Sequence, residues 1–168
     1  MTSTLGIGLI VLAALIVAGL AFYAGALLRK LHLQNKAQAA AQLAHEQALN
    51  EHDKKILDSV VIIVRAMKEE QCDISEGCWR LSVLLDSMKT VNGLSEQFPA
   101  VFELYEAIKH MPILEARKQL EKRERMKLDL ERTKIEARLF TDVHQNIELL
   151  HQYANEKLAA LNASWNNL

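Results

Sequence analysis

Glycine and proline are scarce, with six Gly and two Pro in 168 residues, so this chain has few places to break an element. A glycine-rich phosphate loop and a nucleophile elbow are both missing, and no repeat of fixed period appears. Cysteine is limited to Cys72 and Cys78. On one straight helix they stand ~9 Å apart along the axis and on different faces. A turn at Gly77 would bring them together, but two reduced thiols are the expected state. Charge of one sign is lacking too: 20 basic and 21 acidic groups leave a net charge of -1, which argues against a strongly charge-driven partner. All of that charge lies after residue 28.

What fills the first 28 residues is apolar. Leu5 to Leu28 carry no charge and are built almost wholly of Leu, Ile, Val, Ala and Gly. As a helix the run reaches ~36 Å, enough for the ~30 Å hydrocarbon layer of a bilayer. Only an uncharged flank, 1–4, precedes it, and Arg29, Lys30, His32 and Lys36 follow it. The sequence therefore predicts a single-pass membrane protein with its N-terminus outside and the rest in the cytoplasm. A cleaved signal peptide fits less well, because Ala24-Gly25-Ala26 is not preceded by a positive n-region. Within the span, Ala14, Ala18, Ala21 and Gly25 line small residues along one stripe, a candidate dimer face.

Behind the span, 29–52 is rich in Ala, Gln, Leu and Lys and reads as a helical stalk. The remainder, 53–168, reads as one helical domain. Ile56, Val60, Ile63 and Met67, widened by Leu57 and Val64, predict a helix over about 53–70 with one buried face. Asp73 and Glu76 have the spacing of a capping box and open a helix over 74–90, with Cys78, Leu81, Leu84, Leu85 and Met88 inward and Asn92-Gly93 as its stop. Pro99 suits the first turn of a helix over 98–110, and Pro112 repeats the device. No Gly or Pro interrupts the chain after Ile113, which predicts one long helix over 113–161. Its second half carries Ile135, Leu139, Val143, Ile147 and Leu150 at helical spacing. These are expected to pack on the stripe of Ile56, Val60 and Ile63, within one chain or across a dimer. The fold class expected is all-α: a transmembrane helix and stalk, then a small bundle with one long C-terminal helix, with coiled-coil character.

Gln71-Cys72-Asp73-Ile74-Ser75-Glu76-Gly77 with Arg80-Leu81, Phe98-Pro99-Ala100, Met111-Pro112 and Lys122-Arg123-Glu124-Arg125 form a familiar ensemble. With the N-terminal anchor, the chain resembles a bacterial family catalogued only as domain of unknown function 2489. The resemblance implies a single-pass bacterial membrane protein and brings no activity, cofactor or catalytic residue.

Two constellations stand out. His144, Glu148 and His151 fall at i, i+4 and i+7, and Glu148-Leu149-Leu150-His151 is the Glu-x-x-His element of di-iron bundles. Without a second such element these are read as polar residues bordering the apolar stripe, so no metal and no cofactor is expected. The basic run 117–138 suggests phosphate tracking on nucleic acid or on anionic lipid. However, Arg117 with Glu121, Glu121 with Arg125, Arg125 with Asp129, Lys127 with Glu131 and Arg132 with Glu136 all sit at i+4, which predicts a self-neutralising wet helix. No aromatic residue interrupts the run to stack on bases. The reading is a non-enzymatic, membrane-anchored interaction or scaffold protein with an unknown protein partner and a possible homodimer. The alternatives are a metal or enzyme site at His144, Glu148 and His151, and a tethered nucleic-acid or lipid binder.

Overall fold

The computed structural model describes the backbone from Thr2 to Trp165, and side chains over 19–163 apart from Ala21. Among the described residues six helices follow one another: α1 Thr2–Lys68, α2 Ile74–Asp86, α3 Leu94–Gln97, α4 Pro99–Ile108, α5 Leu114–Lys118 and α6 Lys122–Trp165. Among the described residues there is no strand. The chain divides into two compact units, 1–47 and 48–168.

In the first unit every described side chain is exposed. Here one expectation is corrected. No helix among the described residues is long and apolar enough to cross a membrane. Of the expected span, 5–18 lie outside the residues whose side chains are described, and the described side chains from Gly19 to Leu28 are all exposed. The single-pass inner-membrane placement, its outside N-terminus and its cytoplasmic domain fall with that span. Of the candidate dimer face, Ala14, Ala18 and Ala21 lie outside the residues whose side chains are described, while Gly25 is exposed and a Cβ added there would meet nothing within 4 Å beyond its own helix.

The second unit holds the core. Its stripe on α1 is Ile56, Leu57, Val60, Val64 and Met67; on α2 it is Cys78, Leu81 and Leu85; on α4, Val101, Leu104 and Ile108; on α6, Leu139, Val143, Ile147, Leu150 and Ala154. All belong to one cluster, with Ile63, Leu84 and Ile135 packed partly buried against it. The periodicities at 3.6 residues report these faces because each helix has one side to bury, and a fully buried Leu, Ile or Val contributes ~1.5 to 3 kcal/mol.

The ends of the helices differ more from expectation than their faces do. No stop occurs near residue 52, where Asn50-Glu51-His52-Asp53 contains neither Gly nor Pro, and α1 runs through. It ends at Lys68 with Glu70 in the left-handed region (φ 55°), while Gln71 N–H donates to the Ala66 carbonyl at 2.8 Å and Glu70 N–H to that of Met67 at 3.2 Å. This is a Schellman closure made without glycine. The Asp73 carboxylate accepts from Ser75 N–H at 2.9 Å, opening α2, but Glu76 pairs with Arg80 at 2.5 Å, so only half of a capping box forms. Helix α2 stops at Asp86, and Gly93, at φ 77°, precedes α3 and does not close α2.

The expected helix over 113–161 is broken at 119–121, between α5 and α6. The fold-back is marked by one ion pair, Arg117 Nη2 to Asp129 Oδ2 at 2.7 Å. Twelve residues along a single helix would separate these residues by ~18 Å, so the contact requires the chain to fold back.

Candidate interaction groove

The fold-back builds a concavity. Trp79 and Arg80 on α2, Ile108 at the end of α4, Met111 to Ile113 in the connection, Leu114 and Arg117 on α5, and Leu128, Asp129 and Arg132 on α6 surround a groove of about 580 Å³. That size falls within the range of pockets that take small ligands or anchor side chains, ~300 to 1,000 Å³. Trp79 is held by an edge-on contact with Tyr105, ring centroids 5.3 Å apart and planes at 88°. Pro112 lies in the connection two residues ahead of α5, and Leu114, the first residue of α5, sits at φ 50°.

Three arginines line the groove, and each is met by a carboxylate of the chain. Arg80 pairs with Glu76, Arg117 with Asp129, and Arg132 Nε lies 3.5 Å from Glu136. The Ser75 hydroxyl donates to the same Glu136 at 2.5 Å. The hydrogen bond between Arg117 and Asp129 raises the guanidinium and lowers the carboxyl from their ordinary values. With Asp73, Glu76 and Asp129 against Arg80, Arg117 and Arg132, the lining is balanced, and its remaining chemistry is apolar.

Of the i+4 pairs expected along 117–138, Arg132 with Glu136 is the one that forms among the described residues; Arg117 takes Asp129 in place of Glu121. The candidate metal residues lie along one side of α6 but do not converge. His144 stacks against Phe140, centroids 4.1 Å apart, with Nδ1 2.8 Å from the Phe140 carbonyl, and Glu148 pairs with Lys68 at 2.8 Å. His151 is half-buried. Among the described residues no group of three or more His, Cys, Asp and Glu is placed to hold a metal ion. Both cysteines are free thiols. Burial, then the neighbouring Cys72 and Glu136, push Cys78 up to about 12; burial, with Glu76 next, raises Cys72.

One residue with a structural role escapes the sequence reading. Asp53 is 1 % exposed and its carboxylate accepts from Lys89 N–H at 2.9 Å, Thr90 N–H at 2.8 Å and the Thr90 hydroxyl, with the His52 ring 3.2 Å away. Burial alone would raise this carboxyl, but these hydrogen bonds hold it below its ordinary value. The signal was its position one turn ahead of Ile56 and Leu57, on the buried side of α1.

Fold and groove together define an all-helical domain with a balanced, apolar-lined cleft. A family model described as protein of unknown function (DUF2489) matches residues 17–150, and the chain belongs to that family. It is 37% identical over 140 residues to an uncharacterised protein of Haemophilus influenzae, covering 83% of this chain and 89% of the relative. No solved structure matches.

Proposed function

We propose that the domain is a non-enzymatic interaction module whose groove receives apolar side chains of a partner protein. The observation that carries this is the groove rim. Leu114 is held in the left-handed region, which costs a non-glycine residue ~1 to 2 kcal/mol, yet its side chain is 78% exposed and gains no burial in return. Ile113 beside it is 53% exposed. Strain of this kind persists where surrounding structure imposes it, and it concentrates at functional sites. The arginines nearby are engaged, so an incoming ligand meets Trp79, Met111, Ile113 and Leu114, which suits an apolar segment better than an anion.

The test is a photoreactive amino acid placed at Leu114 of the full chain in its native host, beside one at exposed Leu43. A discrete protein adduct at position 114, missing at 43 and lost when the groove carries Leu128→Glu in a chain of unchanged helix content, supports the reading. Equal adducts at both positions, or an adduct indifferent to Leu128→Glu, would sink it.

A further inference from the structure

Helix α6 has a second apolar face, turned away from its own core. Met126, Leu130, Thr133, Ala137, Phe140 and His144 recur at steps of four and three, and all six are exposed, Met126, Leu130 and Phe140 by more than half. Alternating steps of four and three are the spacing of a seam between two helices, and from Met126 to His144 the stripe is ~27 Å long. Along one side of it run Arg123, Lys127 and Lys134, exposed, with no carboxylate at ion-pair distance among the described residues. The one i+4 partner expected for this row, Glu131 for Lys127, makes no ion pair with it among the described residues. An apolar seam therefore stands beside a row of cations that make no ion pair among the described residues.

We infer that this face docks an acidic amphipathic helix of another protein, its apolar residues in the α6 seam and its carboxylates on Arg123, Lys127 and Lys134. The charges decide among occupants. A second copy laid antiparallel would set Lys134 against its own equivalent, a like-charge contact that disfavours pairing. Laid parallel, it would need Asp129 and Glu136, which already serve Arg117, Ser75 and Arg132. A broad anionic surface such as a lipid bilayer or a nucleic acid would meet Glu124 and Glu131, which border the basic row on its outer side. A single helix is narrow enough to avoid both. The inference does not rest on the groove, which lies on the other side of α6 around Leu128 and Arg132.

The test titrates the full chain into a labelled synthetic helix with a leucine seam and glutamate flanks, and into the same helix with lysine flanks, read by fluorescence anisotropy. The glutamate helix should bind about tenfold more tightly, the paired variant Lys127→Glu with Lys134→Glu should reverse that preference, and Leu130→Asp should weaken binding about tenfold. All substitutions are at exposed positions, and circular dichroism should be unchanged. Equal binding of the two helices overturns the proposal, as does a preference that survives the charge reversal. So does a dimer of the chain lost with Leu130→Asp, or binding of phosphatidylglycerol vesicles lost with the charge reversal.

Discussion

Removing the Asp53 carboxylate should be among the most damaging single changes outside the apolar core. Asp53→Ala deletes the acceptor for two backbone N–H groups and the Thr90 hydroxyl. Hydrogen bonds to a charged group contribute ~1.5 to 3 kcal/mol each in net terms. Lys89 and Thr90 are exposed, so water recovers part of that loss, and a cost of ~2 to 4 kcal/mol follows for a domain whose whole stability is ~5 to 15 kcal/mol. Asp53→Asn keeps one acceptor oxygen and should cost ~1 to 2 kcal/mol. Because the native carboxyl titrates below its ordinary value, its contribution is complete above about pH 4, where the unfolded carboxyl is ionised. It is lost as pH falls through the native value. Urea unfolding of the full chain at pH 7 and at a series of acid pH values measures both effects: the parent should lose stability on acidification, and the Asn variant should lose less. An Asp53→Ala chain that unfolds within ~0.5 kcal/mol of the parent at pH 7 would refute the reasoning.

Glu70→Gly should stabilise by ~0.5 to 1 kcal/mol, since glycine adopts φ 55° freely, although it adds entropy to the unfolded chain; thermal unfolding reads this as a small rise in Tm. Gly77→Ala should destabilise by ~1 to 3 kcal/mol in urea, because an added Cβ collides with the Sδ of buried Met67. Cys78, fully buried and with its thiol pushed up to about 12, should react with a chromogenic disulfide only as fast as the chain opens, while half-buried Cys72 reacts first and slowly. Rapid labelling of both thiols in the folded chain would count against the burial of α2.

The faces of the helices were legible because burial imposes a period. Ile56, Val60, Leu81, Leu104, Val143 and Ile147 each recur with neighbours three or four residues away, and all are buried. Pro99 opening α4 was legible for the same local reason, its missing N–H being harmless in a first turn. The break at 119–121 was not, since neither Gly nor Pro marks it and the contact that accompanies it joins Arg117 to a residue twelve positions away. The groove depends on that break, so it was invisible for the same reason. The i+4 charges misled because sequence spacing gives each arginine several possible carboxylates, and tertiary geometry selects among them.

Helix α4 starts at Pro99 behind Phe98, which offers no side-chain cap; instead the Asn146 side chain, from α6, accepts from Ala100 N–H at 2.9 Å. Beside the local signal of Pro99, part of what caps one helix is thus written 46 residues later in another. Phe98 repeats the dependence, its ring set edge-on to Tyr153 of α6 at 5.6 Å. During synthesis, then, α4 leaves the ribosome with the local signal of Pro99 but before Asn146, which completes its first turn, exists. A chain interrupted before Asn146 loses a start signal as well as a packing surface.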